Sequence, residues 1–147
     1  MFSVFDVANE FLSINSVSHK KLQKLCYYAQ GWNLGLLGTE LFNEEIQAWI
    51  HGPVCPTLYN KYRGYGYEEI PKEESNNTDE NFKRSIGQIY RIYEDLDGDD
   101  LEAKTHNEFP WKNARHGLQS WESCNREITK LSMKLYFKEE FSKIASA

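Results

Sequence analysis

Apolar positions recur along this chain mostly at helical spacing, and strand-like stretches are short. Asp6 to Ser13 carries Val7, Ala8, Phe11 and Leu12 as one stripe, which predicts a short first helix. Ser18 is placed to cap a second helix from about His19 to Leu37, with Gly38 stopping it. Leu22, Leu25, Ala29, Trp32 and Leu36 predict one buried face of that helix, with Gln23, Lys24 and Tyr28 beside or opposite it. Gly31 and Gly35 lie four apart and weaken a helix intrinsically, so they predict close approach of another backbone.

Ile46 to Ile50 suits a short strand, bounded by polar residues and by the turn His51-Gly52-Pro53. Proline keeps its predecessor out of the helical region, so Gly52 and Cys55 are expected to be extended or turn-like, and Pro56 to stand at N1 of the next helix. Leu58, Tyr59 and Tyr62 then face the core, and Gly64 and Gly66 end the helix. Tyr67 to Ile70 is a second candidate strand, and Pro71 to Thr78 a polar loop. Asp79 to Leu96 reads as a helix with Phe82, Ile86, Ile89, Tyr90, Tyr93 and Leu96 inward. Asp97-Gly98-Asp99 breaks it, Asp100 to His106 adds one or two turns, and Pro110-Trp111 opens another helix. After a loop from Gly117 to Asn125, Thr129 caps a last helix, Lys130 to Ile144, with Met133, Tyr136, Phe137, Phe141 and Ile144 as its stripe. The fold class expected is mainly α (α+β), a compact helical domain with a small antiparallel sheet of two or three strands around Ile46 to Ile50.

Composition sharpens this outline. The 147 residues suit one domain, 1–147, and 40% hydrophobic with 14% aromatic residues favour a folded chain whose packing is dominated by a few large side chains. No run approaches a membrane span, and MFSVFDVANEF is acidic where a signal peptide is basic, so a cytoplasmic location is expected. Cys26, Cys55 and Cys124 show no CxxC spacing and read as buried or idle thiols. The net charge of -5 argues against nucleic acid as the main partner. It is uneven: residues 64–110 hold five Lys/Arg against thirteen Asp/Glu, and 111–147 hold seven against four, an asymmetry suited to steering a basic protein partner.

Candidate chemistry is sparse. Aligning Gly98 with the invariant glycine of a calcium loop puts Tyr93 first and Lys104 twelfth, where carboxylates are needed, so that reading fails. His19, His51, His106 and His116 lack the spacing that sets two on one helix face, and no metal or cofactor is expected. There is no GxSxG elbow, phosphate loop or GxGxxG. Lys20, Lys21 and Lys24 with Tyr27 and Tyr28 form a small basic-aromatic patch, more simply a solvated helix face. Thr105 and His106 before Pro110-Trp111 place hydroxyl, imidazole and indole together in a helix-breaking segment.

LQKLCYYAQGW (Leu22 to Trp32), Leu41-Phe42, Ala48-Trp49, His51-Gly52-Pro53-Val54, Tyr59, Tyr62, Tyr65-Gly66, Leu101, Thr105-His106 and Pro110-Trp111-Lys112 resemble, in order, the Panacea or SocA-like domain family. The resemblance continues to Ile128, Met133 and Tyr136-Phe137, with Cys26 standing where leucine is common and GLQSWESCNR (117–126) matching no family pattern. It implies an antitoxin, phage-associated in some members, that neutralises a cognate toxin by direct binding without catalysis, in one case as an adaptor to a ClpXP-type protease. Trp32, Trp49, Gly52, Pro53, Pro110 and Trp111 are then expected to fix the fold. Partner contacts are expected on exposed positions among Lys24, Tyr28, His51, Tyr62, Thr105 and His106. The alternatives are a phage-encoded modulator of a host protein, and a small hydrolase or metal-dependent enzyme using Thr105 and His106. A DNA-binding repressor is weaker still, since no basic recognition helix is identifiable.

Overall fold

Ser18 and Gly38 bracket the helix around which the rest of the chain is wrapped. In the computed structural model, which describes residues 1–146, this helix is α2 (His19–Leu37). The Ser18 hydroxyl accepts from the Lys21 backbone N–H at 3.2 Å, satisfying a first-turn donor. Gly38 ends the helix at φ 77°, a conformation glycine adopts without a Cβ clash.

The boundaries of α2 match the expectation, but its one-sided burial does not. Lys21, Gln23, Lys24, Tyr27, Tyr28 and Gln30 are buried along with the apolar stripe, whereas Leu36, assigned to that stripe, is half exposed. A helix buried all round is a central one. It is covered by α1 (Val4–Ile14), α4 (Glu80–Tyr93), α5 (Gly98–His106) and, most extensively, α7 (Lys130–Ser146).

The two glycines admit α7. A Cβ at Gly31 would run into the Phe137 ring, and one at Gly35 would lie 2.8 Å from the backbone of Phe137 and Lys138. Phe137 and Met133 therefore seat in the core, each 1% exposed. The Thr129 hydroxyl caps α7 by accepting from the Ser132 backbone at 3.1 Å. Phe141 and Ile144, expected on the same inward stripe, are 47% and 64% exposed because the stripe outruns its partners.

The strands are few and short. β2 (Gln47–Trp49) and β3 (Gly52–Val54) form an antiparallel hairpin with Trp49 opposite Gly52. The second expected strand exists as β4 (Glu69–Ile70), but it pairs with β1 (Val17–Ser18) instead. The mainly α class with small antiparallel pairings holds. Cys55 is extended and Pro56 opens α3 (Pro56–Tyr62), as the prolines predict. Of α3, Leu58 and Tyr62 are buried and Tyr59 is partly exposed. Asp97 and Asp100 form a reciprocal capping box at the start of α5, with bonds of 2.8 and 3.0 Å, so the acidic break is a helix start. Pro110 lies in the first turn of α6 (Phe109–Ala114).

One apolar core runs through all of this, from Val4, Phe11 and Leu12 of α1 through Leu22, Leu25 and Tyr28 of α2 to Ile86, Leu101 and Phe137. Burying each such side chain contributes about 1.5 to 3 kcal/mol against leaving it in water. Among the described residues no helix is long and apolar enough to cross a membrane.

Candidate functional site

Two glutamines of α2 each hold a passing segment of chain. The Gln23 amide oxygen accepts from the Cys55 backbone N–H at 2.8 Å. Immediately before Gly31, the Gln30 amide donates to the Phe42 carbonyl and accepts from Leu41 N–H, both at 2.7 Å. Unmade backbone bonds in a core are costly, so each glutamine fixes the route of an irregular segment. Lys24 lies under the hairpin turn: a Cβ on Gly52 would meet its Cε at 2.7 Å and the Thr105 hydroxyl at 3.0 Å. Gly52 also has φ 107°, so both space and backbone conformation require glycine there.

Lys24 is 1% exposed, and its ammonium makes no hydrogen bond or ion pair among the described residues. Burial, with Lys20 nearby, pushes its ammonium down to about 7, while Glu102 opposes the shift. Above it, Glu102 bridges Lys20 at 2.6 Å and His51 at 3.1 Å, and the Thr105 hydroxyl donates to the Glu102 carbonyl at 2.9 Å. His106 stacks on Trp111 with centroids 4.1 Å apart, and its Nε2 is buried without a hydrogen-bond partner. Burial lowers its pKa.

Trp111 and Arg115 lash the hairpin to the loop at 117–126. The Trp111 indole donates to the Trp49 carbonyl at 2.8 Å. The buried Arg115 guanidinium donates to the carbonyls of Ala48 at 2.9 Å and Gln119 at 3.0 Å, and to that of Glu122. Trp121, on this pinned loop, is 72% exposed. Beside the loop, Trp49, Ile50, His51, Val54, Ser123 and Cys124 line a cavity of about 240 Å³.

A second polar site lies deeper. The Tyr27 and Tyr28 hydroxyls donate to the two oxygens of Glu108, at 3.1 and 2.9 Å. Tyr28 stacks on Tyr93 at 4.0 Å, and the Trp32 indole donates to the Tyr93 hydroxyl at 2.8 Å. Burial raises Glu108 to about 7, against the two tyrosine bonds and the Lys104 charge, which lower it. Burial likewise pushes the Tyr27 and Tyr28 hydroxyls far above their ordinary range.

Of the six residues expected at exposed contact positions, the structure gathers Lys24, His51, Thr105 and His106 around the hairpin turn. Tyr28 and Tyr62 are elsewhere, the latter donating to Glu73 at 3.1 Å. The expected exposure is corrected for Lys24, Tyr28, Tyr62 and Thr105, all buried because each fills a space between α2 and a neighbouring segment. His51 is the most exposed of the set. Thr105 donates to a backbone carbonyl rather than to a base, and neither it nor His106 lines the cavity by the turn. Among the described residues no group of three or more His, Cys, Asp or Glu side chains could hold a metal ion. Gln23, Gln30, Glu108, Arg115 and Trp121 were not singled out from the sequence. Polar side chains on a helix otherwise rich in large apolar groups were the available signal for the first two.

Residues 22–112 match the family described as antitoxin SocA-like, Panacea domain. The match takes in the α2 motif, the hairpin turn and Pro110-Trp111, and stops short of Met133 and Phe137. No curated protein and no solved structure matches the chain.

Proposed function

Because the chain belongs to the antitoxin SocA-like, Panacea domain family, we propose that it is an antitoxin that neutralises a cognate toxin by binding it directly, without catalysis. Family membership implies a toxin partner in general. Direct capture is the mode supported by the surface at the hairpin turn, where an exposed Trp121 stands on a loop already pinned by Arg115. A large aromatic group held in place before binding loses little conformational freedom on contact, the character of an interface hot spot.

In this reading His51 and Trp121 are contact residues, His106 and Trp111 stiffen the platform behind them, and the chain acts as one domain. Lys24 and Thr105 serve the contact surface from beneath. Delivery of the captured toxin to a ClpXP-type protease is a further step that the same surface permits. Co-expression with the adjacent open reading frame tests the proposal: growth arrest by the neighbour, relieved by this chain and accompanied by co-purification, is the expected result. A neighbour that is harmless, or that stays toxic and fails to co-purify, overturns it. Toxin levels restored by deleting the protease would separate delivery from simple occlusion.

A further inference from the structure

The groove where α2, α4 and α7 meet ends on Glu108. Its walls are Trp32, Tyr93, Tyr136 and Phe137, and its volume is about 230 Å³. The rings form a continuous lining: Phe137 lies 5.0 Å from both Trp32 and Tyr136, and the Trp32 indole is fixed on Tyr93. Ile92 and Ile144 stand at the rim, 57% and 64% exposed. Glu108 itself is 3% exposed and accepts from two tyrosines, and among the described residues no cation lies within ion-pair distance of it.

We infer that this groove seats one lysine or arginine side chain of the toxin, its cationic head on the Glu108 carboxylate and its stem between the four aromatic rings. The inference rests on the antitoxin reading for its occupant. Its chemistry rests on the groove alone: aromatic faces attract cations, and a carboxylate without a counter-ion in a low-dielectric site gains most from a charged donor. The acidic surplus of residues 64–110, which supply Ile92, Tyr93 and Glu108, favours the same occupant.

The other charges facing the groove do not fill the role. Lys104 of α5 is exposed and unpaired among the described residues, so its charge is largely hydrated. On α7, Lys143 pairs with Glu140 at 3.0 Å, and Glu140 also accepts from the Tyr136 hydroxyl at 3.2 Å. That pair neutralises itself at the rim and leaves Glu108 as the charge at the floor. Exposed Ile92 and Ile144 are placed to exclude water once a stem is seated.

The test uses the full chain and two probes, N-acetyl-lysine methylamide and its uncharged counterpart N-acetyl-norleucine methylamide, followed through the tryptophan indole N–H signals by NMR at pH 8. The lysine probe is expected to shift the Trp32 signal, the norleucine probe to leave it in place, and Glu108→Gln to abolish the shift. Should that variant lose its dispersed indole spectrum, wild-type protein at pH 5 replaces it, and the shift is expected to vanish there. Equal shifts with both probes, shifts confined to Trp49, Trp111 and Trp121, or no shift with the lysine probe would overturn the inference. With the toxin, Glu108→Gln is expected to weaken capture about tenfold or more, as removal of one member of a desolvated charge pair does. Wild-type capture left unchanged by Glu108→Gln sinks the groove alone, whereas no wild-type capture sinks the antitoxin reading and leaves the probe titration to decide the groove.

Discussion

The Tyr28 hydroxyl donates to the Glu108 carboxylate at 2.9 Å across a separation of 80 residues. This bond ties the middle of α2 to the segment between α5 and α6, and it lies where burial changes protonation.

Glu108 is raised from 4.5 to about 7 in the folded chain. The folded state therefore keeps a proton that the unfolded chain releases, and this stability is full below about 4.5 and lost as pH rises through about 7. The swing is roughly 3 kcal/mol. His19 works in the opposite sense. Burial first and Lys24 second lower it from 6.5 to about 4, so its contribution is present above 6.5 and lost as pH falls through about 4. The two slopes oppose each other between about 4.5 and 6.5. Across that window, urea midpoints of Glu108→Gln are expected to climb with pH relative to wild type. Parallel profiles would show that Glu108 titrates normally.

Lys24 gives a second pH signature. Its folded pKa of about 7 lies below the ordinary 10.5, so the contribution is complete above 10.5 and lost as pH falls through about 7. Lys24→Met is expected to remove the rise in stability between these values. At pH 7 it should also be as stable as wild type or more so, since an unpaired buried charge is replaced by an apolar group of similar length. A loss of several kcal/mol at pH 7 would instead mean that the ammonium is satisfied in the core.

At the α2–α7 seam, Gly31→Ala and Gly35→Ala are both expected to destabilise by about 1 to 3 kcal/mol or more, through overpacking. They should respond differently to a second change. Phe137→Leu frees space beside Gly31, where the obstacle is a ring, and is expected to recover part of the Gly31→Ala loss. It should recover little at Gly35, where the obstacle includes the α7 backbone. Denaturant unfolding of the two double variants decides this, and equal recovery would refute it.

On the face proposed to bind the toxin, Trp121→Ala and His51→Ala are expected to leave stability within about 0.5 kcal/mol of wild type, as exposed positions do. Capture of the toxin in a pull-down or by calorimetry should weaken about tenfold or more for Trp121→Ala. Unchanged affinity in both variants would move the interface elsewhere.

The ends of α2 were legible because Ser18 and Gly38 act on backbone groups within a turn of themselves. The glycine seam was legible in kind, since two glycines inside a helix demand a close neighbour, although nothing local named Phe137. The burial of Lys24, Tyr28 and Thr105 was not legible. Their environment is set by partners far along the chain, 80 residues away for Tyr28, and no periodicity within α2 encodes such a distance. Glu108 escaped notice for the same reason: beside Thr105-His106 and Pro110-Trp111 it looks like an ordinary surface acid until Tyr27 and Tyr28 close over it. The stripe on α7 misled in the other direction, because helical spacing identifies a face but not where the covering protein ends.

The packing of Gly31 and Gly35 against α7 also sets an order in time. During synthesis α2 leaves the ribosome long before Phe137 is made, so the emerging chain carries Tyr27, Tyr28 and Trp32 without the ring that covers them. The core and the Glu108 groove close only when α7 arrives. Until then the chain exposes apolar surface that the finished fold buries. The interval between starting a chain and completing its core is governed by the helix made last among those described.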